Sequence, residues 1–123
     1  MITTVEFIKM LSEDISWTIG EDFGEDKDIL LRKNCARILH RYLQKVVKDP
    51  DATEDLPSGS DIPDINDCRI CAPHIAQMIA KKIMRPNSKG SIKLFEGDKE
   101  VSENEAKGYI CLIRESHNKC PIS

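Results

Sequence analysis

The residues with the clearest potential for chemistry are a cysteine pair and a histidine in the middle of the chain. Cys68 and Cys71 form a C-x-x-C motif, which His74 extends to C-x-x-C-x-x-H. Further along, His117 and Cys120 form an H-x-x-C pair. Zinc prefers four tetrahedral sulfur and nitrogen ligands, which proteins often supply as two close pairs on turns. One interpretation is therefore a structural zinc ion held by Cys68, Cys71, His117 and Cys120, with His74 as an alternative ligand.

Two other interpretations of the cysteine pair remain open. Free cysteine packs as a small hydrophobic residue, so Cys68 and Cys71 could be inert core thiols. A redox pair or a disulfide is the third option, because the N-terminus of a helix beginning at Pro73 would favour a thiolate. Cys35 and Cys111 lie in helical segments at apolar or flanking positions, which predicts packing roles for both. The cofactor prediction is none, or one structural zinc.

A basic helix face is the second candidate binding feature. Arg37, Arg41 and Lys45 lie opposite the apolar stripe of the second predicted helix, and His40 lies off that stripe, which predicts a solvated ring. Such a face could attract an acidic partner, or it could be a solvated surface balanced by nearby acidic loops. No Ser/His/Asp grouping, glycine-rich phosphate loop or apolar carboxylate pair stands out in the sequence, so a non-enzymatic protein is predicted.

Four amphipathic segments must position these residues. Their apolar spacing predicts helices over about 3–19, 28–48, 73–84 and 102–115. Thr3 and Ser102 each begin a capping box, with glutamate three residues later. Residues 49–67 are acidic and contain three prolines and a glycine, which predicts a long connecting loop. The predicted fold is a single all-α domain, 1–123, built as a small bundle of about four helices.

Composition and charge narrow the class of protein. With 40% hydrophobic and 32% charged residues, the chain suits a folded, well-solvated domain. A net charge of −3 disfavours a nucleic-acid partner, and no stretch approaches the roughly 20 apolar residues that span a bilayer. The first residues do not resemble a secretion signal, and the five cysteines are odd in number. We therefore expect a cytoplasmic protein if the chain is complete, and a cell-surface protein if it is a fragment of a longer exported chain.

Three segments share one pattern, in which an apolar residue precedes an amphipathic helix. They are Ile2-Thr3-Thr4-Val5-Glu6-Phe7, Leu31-Arg32-Lys33-Asn34-Cys35-Ala36 and Val101-Ser102-Glu103-Asn104-Glu105-Ala106. The first resembles the Ile-Thr-Arg-Ala-Glu-Phe signature of S-layer homology domains. Residues 61–113 resemble a whole repeat of that family, from Asp61-Ile62-Pro63-Asp64-Ile65 onward, and residues 2–48 resemble it more loosely.

The resemblance implies an all-helical module of a kind that anchors bacterial proteins to cell-wall polysaccharide. The signature arginine, which belongs to the family's carbohydrate site, aligns with Thr4, Lys33 and Glu103 here, and the expected tryptophan is missing. We therefore expect an interaction or structural module that resembles a degenerate S-layer homology domain. Its expected partner is another protein, with wall polysaccharide as a second possibility. A zinc-stabilised protein-binding domain and a thiol redox accessory are the alternatives.

Overall fold

The computed structural model describes residues 2–23, 25 and 27–115. Four helices and one hairpin make up its regular structure: α1 (Thr4–Leu11), α2 (Arg32–Tyr42), α3 (Ala72–Ala80), β1 (Asn87–Lys89), β2 (Ile92–Leu94) and α4 (Glu103–Glu115). A 3-10 turn at Ser16–Thr18 follows α1, and a π-helical turn at Leu43–Val47 follows α2. No helix in the described part of the chain is long and apolar enough to cross a membrane.

The hairpin makes the fold mixed α/β, so the prediction of an all-α bundle is wrong. β1 and β2 are antiparallel, with Asn87 opposite Leu94 and Lys89 opposite Ile92. Gly90 adopts a φ of +65° in the connecting turn, a conformation that glycine reaches without steric cost. Strands of three residues are too short to show a two-residue alternation of apolar and polar side chains, so the sequence pattern does not reveal this hairpin.

The first three helices are shorter than the sequence predicts, and α3 ends at Ala80 instead of residue 84, just before Lys82 adopts a φ of +62°. α1 ends at Leu11, because Ser12 is extended and the Asp14 carboxylate accepts a hydrogen bond from the Ser16 amide at 3.0 Å, which starts a separate turn. Residues 12–19 are therefore not one continuous helix with α1. α2 begins at Arg32 instead of residue 28, because the residues before it are extended and pair with neighbouring segments.

The starts of α1, α2 and α4 are joined by backbone hydrogen bonds around Leu30. The Leu30 amide donates to the Ile2 carbonyl at 3.0 Å, and the Leu30 carbonyl accepts from the Val101 amide at 2.8 Å. The Thr4 amide donates to the Asp28 carbonyl at 2.9 Å. These bonds satisfy backbone groups that would otherwise be unpaired at helix N-termini. They fix three helix starts side by side, with Leu30 fully buried between them.

The hydrophobic core lies between α2 and the elements around it, chiefly α3. Its largest fully buried side chains come from every part of the described chain: Phe7, Phe95, Leu30, Ile38, Leu39, Met78, Met84 and Ile113 are among them. Each apolar side chain of this size contributes roughly 1.5–3 kcal/mol when it leaves water. The core therefore holds α2 and α3 as a firm support for the polar groups described below.

Candidate functional site

Cys68 and Cys71 are joined by a disulfide immediately before α3. Their Cα atoms lie 5.2 Å apart, and the Cys71 amide donates a hydrogen bond to Cys68 Sγ at 3.3 Å. Cys71 is the N-cap residue of α3 and is only 1% exposed. Cys68 is half-buried and lines a cavity. Of the three interpretations that the sequence left open, the structure shows the disulfide.

The disulfide changes the zinc hypothesis, because zinc binds deprotonated thiolates and a disulfide has none. Cys68 and Cys71 are therefore not zinc ligands in this oxidised form. His74 hydrogen-bonds to another histidine, and among the described residues no three His, Cys, Asp or Glu side chains are grouped as metal ligands. His117 and Cys120 lie outside the described residues, so their proposed part in a metal site stays a prediction.

The remaining described cysteines divide into two kinds. Cys35 is a free thiol with no exposed surface, as the packing prediction requires, and burial raises its pKa far above the usual value. Cys111 is disulfide-bonded, so the prediction that it is only a packing residue is wrong. Its position on α4 fits helical packing equally well, and nothing in the local sequence marks it for oxidation.

A buried histidine pair connects α2 to α3. His40 and His74 have their Nδ1 atoms 2.7 Å apart and are 4% and 8% exposed, so the expectation of a solvated His40 is wrong. His40 Nε2 lies 2.8 Å from Asp51 Oδ1. An ionised carboxylate can only accept, which places a proton on His40 Nε2. In a neutral His40 the Nδ1 atom then accepts, and His74 Nδ1 donates.

Protonation of His74 is disfavoured by its surroundings. Burial is the main cause, and the neighbouring His40 is the second. Together with Arg41 and Arg37 they lower the pKa of His74 to about 4, and Glu21 has a weaker, opposing effect. The sequence separation of 34 residues between His40 and His74 explains why sequence reasoning missed the pair. No spacing rule connects residues that meet only because two helices pack together.

The beginning of the acidic loop is fastened beside this pair. Gln44 Nε2 lies 3.2 Å from both carboxylate oxygens of Asp51. The Gln77 side chain accepts from the Ala52 amide at 2.7 Å and donates to the Ala52 carbonyl at 3.0 Å. Lys81 pairs with the Asp49 carboxylate at 2.7 Å. Side chains of α2, α3 and the adjoining turns therefore hold the loop in place.

The predicted basic face holds a neighbouring segment of the same chain. Arg41 and Lys45 bind the two carboxylate oxygens of Glu21, at 3.1 and 2.5 Å. Arg37 donates to the Asp22 carbonyl and lies over the Phe23 ring, 5.8 Å from its centre. Burial opposes ionisation of Glu21, but the Lys45 hydrogen bond and the Arg41 charge leave its pKa lowered. The structure thus gives these three residues internal partners.

Arg32 is the first residue of α2, as Thr4 is of α1 and Glu103 is of α4. The hydrogen bonds around Leu30 put Ile2, Leu30 and Val101 in equivalent positions, so Arg32, and not Lys33, corresponds to Thr4 and Glu103. Arg32 is 5% exposed and donates to the Phe95 carbonyl at 2.9 Å. It also donates to the Arg85 carbonyl at 2.7 Å and the Tyr109 hydroxyl at 3.0 Å, and its guanidinium lies 4.7 Å from the centre of the Phe95 ring.

Two surface cavities lie near Arg32 and its hydrogen-bond partners. The first has a volume of about 320 Å³ and contains Cys68, Ile75 and Phe95 among its lining residues. The second is a wider groove of about 780 Å³ between α4 and the segment that follows α3, and Ile83, Tyr109 and Leu112 are among its lining residues. The smaller cavity matches a small molecule in size, and the wider one offers a mostly apolar surface.

The fold is similar to part of a solved structure, the undecaheme cytochrome from the S-layer of Carboxydothermus ferrireducens. The TM-score is 0.64 over 97% of this chain, with 12% sequence identity. The match spans 17% of the cytochrome chain, and at this identity it shows a common fold alone. No protein-family model and no curated protein matches the sequence, so no family match supports an S-layer homology domain.

Proposed function

We propose that this chain is a non-enzymatic structural module of a cell-surface protein layer and that it contacts another protein of that layer. The observation that carries the proposal is the similarity, over 97% of this chain, to part of an S-layer protein. Because that likeness covers 17% of the cytochrome, the module would act as one part of a larger assembly. This function agrees with the resemblance of residues 61–113 to an S-layer homology repeat.

The oxidised cysteines support a location outside the cytoplasm. Cys68, Cys71 and Cys111 are all disulfide-bonded. Disulfides persist in oxidising environments such as the cell surface and are rare in the reducing cytoplasm. Of the two locations that the sequence allowed, the cell surface is therefore the one we propose.

The contacts of Arg32 favour a protein partner over wall polysaccharide. Its guanidinium binds two backbone carbonyls and a tyrosine hydroxyl within the domain, and only 5% of the residue is exposed. An arginine in this state has little surface to offer a sugar. The wider groove, where Leu112 is exposed, presents the apolar area that protein interfaces bury at their centre.

Retention of extracted surface-layer protein on the immobilised chain tests this function. Leu112→Asp places a charge in the groove, and Ile92→Asp makes the same kind of change at an exposed residue of the hairpin. We expect Leu112→Asp to abolish retention and Ile92→Asp to preserve it. Retention of purified wall polysaccharide alone, or equal loss with both variants, would contradict the proposal.

A further inference from the structure

The disulfide between Cys68 and Cys71 lies where an external thiol can reach one sulfur and not the other. Cys71 is 1% exposed, whereas Cys68 is half-buried and lines the cavity of about 320 Å³. Thiol–disulfide exchange requires access of the attacking thiolate to one sulfur. We propose that Cys68–Cys71 is a redox-active disulfide that oxidises a small-molecule thiol entering this cavity. This activity goes beyond the structural function proposed above and does not depend on it.

The exchange proceeds in two displacements. The thiolate of a first external thiol attacks Cys68 Sγ, so that a mixed disulfide forms, the Cys68–Cys71 bond breaks and the electron pair leaves on the Cys71 sulfur. A second external thiolate then attacks the external sulfur of the mixed disulfide, and Cys68 leaves as a thiolate. Two external thiols become one disulfide, and their two protons end on the two cysteines. The external thiols are the reductant and the protein disulfide is the oxidant.

The local structure stabilises the thiolates of both leaving groups, which are Cys71 in the first displacement and Cys68 in the second. Cys71 is the N-cap of α3, a helix of nine residues, and the partial positive charge of a helix N-terminus stabilises a thiolate. The Cys71 amide already donates to Cys68 Sγ at 3.3 Å and would hydrogen-bond to its thiolate after reduction. A better leaving thiolate makes a disulfide easier to reduce. The geometry therefore favours reaction at Cys68 and release of Cys71.

The charge of the cavity indicates which thiols it would accept. Two lysines and four acidic residues line it: Lys33, Lys99, Asp64, Asp67, Glu96 and Asp98. The excess of carboxylates repels an anionic thiol and attracts a cationic one. A volume of about 320 Å³ is near the lower end for ligand pockets, which suits a small molecule better than a protein loop. The substrate class is therefore a small, uncharged or cationic thiol.

Reduction of the folded chain by a cationic and an anionic small thiol tests the proposal. The chain is incubated with cysteamine or 2-mercaptoethanesulfonate, alkylated, digested and analysed by peptide mass spectrometry. Each rate is divided by the rate for the urea-unfolded chain, which removes intrinsic differences between the thiols. We expect the normalised rate of reduction of the Cys68–Cys71 disulfide to be at least roughly tenfold higher with cysteamine than with 2-mercaptoethanesulfonate, because the cavity carries more carboxylates than lysines.

Two results would overturn the proposal. Reduction of Cys68–Cys71 only under unfolding conditions would show a structural disulfide. Equal or faster reaction with 2-mercaptoethanesulfonate would show that thiols do not use the acidic cavity as their access route.

Variants that each lack one cysteine of the pair identify the sulfur that reacts. Cys71→Ser leaves the accessible sulfur, so it should form a stable mixed disulfide at Cys68 with cystamine. Cys68→Ser leaves the buried sulfur and should react at least roughly tenfold more slowly. Circular dichroism checks that both variants are folded. If either variant is unfolded, the reduction rates of the wild-type chain decide the proposal instead. Equal modification of the two variants when folded would contradict attack at Cys68.

Discussion

The Nδ1 atoms of His40 and His74 lie 2.7 Å apart in a buried contact between α2 and α3. One ring must donate and the other accept, so the contact tolerates at most one proton beyond the neutral pair. Asp51, on the adjoining loop, accepts from His40 and so relates the state of the pair to the position of the loop. The contact between α2 and α3 and the attachment of the acidic loop therefore both depend on the protonation of His40 and His74.

Acidification should destabilise the protein through His74. Its pKa is lowered to about 4 in the folded chain against about 6.5 when unfolded, so unfolding is accompanied by proton uptake between these values. The stability from neutral His74 is complete above about pH 6.5 and is lost as pH falls toward 4, by roughly 3 kcal/mol in total. Urea unfolding at several pH values measures this slope.

The control for this pH dependence is a substitution at an exposed, non-titrating residue. His74→Gln should flatten the slope between pH 6.5 and 4, whereas Asn104→Gln, at an exposed position, should leave it unchanged. A slope that survives in His74→Gln would mean that carboxylates, and not the buried pair, cause the acid sensitivity.

Removing the charge of Asp51 should loosen the start of the acidic loop. Its carboxylate accepts hydrogen bonds from both His40 and Gln44. In asparagine one carboxylate oxygen is replaced by an NH₂ group, which cannot accept either bond. We expect Asp51→Asn to lower the free energy of unfolding by about 1–2 kcal/mol and to speed hydrogen exchange at the Ala52 amide. Asp55→Asn, in an exposed part of the same loop, should change neither quantity. Unchanged exchange at Ala52 in Asp51→Asn would show that Gln77 alone holds the segment.

Breaking the Glu21 contacts should release the segment between α1 and α2. Glu21 binds Arg41 and Lys45 at once, so Glu21→Gln removes two ion pairs while keeping the side-chain shape. Partly exposed pairs are individually weak, and we expect a loss of about 1 kcal/mol that shrinks at high salt. Trp17 lies in this segment, and its fluorescence should shift toward that of a solvated indole. Glu13→Gln, on an exposed residue, is the control.

Features that depend on neighbouring residues could be predicted from the sequence. The capping box at Ser102 forms as expected, with the Glu105 amide donating to the Ser102 hydroxyl at 3.1 Å. The broad apolar stripe of α2 is buried as its spacing indicates, with Ile38 and Leu39 fully enclosed. Both features follow from interactions within one or two helical turns, which the order of residues encodes directly.

Features that depend on distant residues could not be predicted in this way. α2 lacks a side-chain cap, and its first amides at Arg32 and Lys33 donate to the Lys99 and Gly97 carbonyls, more than 60 residues away. This is why its start was placed too early. The His40–His74 contact and the Glu21 ion pairs are also products of tertiary packing. The state of Cys68 and Cys71 could not be predicted for another reason, since C-x-x-C spacing serves a disulfide as well as a metal.

Arg32 should be the costliest polar residue to replace in this domain. Lysine cannot reproduce the separate hydrogen bonds to the Phe95 and Arg85 carbonyls, because its ammonium is a single point and not a planar fork. We expect Arg32→Lys to lower the free energy of unfolding by about 2–4 kcal/mol, since buried carbonyls lose their donors. Lys33→Gln, which removes an exposed ion pair with Asp98, should cost less than about 1 kcal/mol. Urea unfolding at pH 7 measures both losses. Equal losses in the two variants would show that the hydrogen bonds of Arg32 do not stabilise the domain.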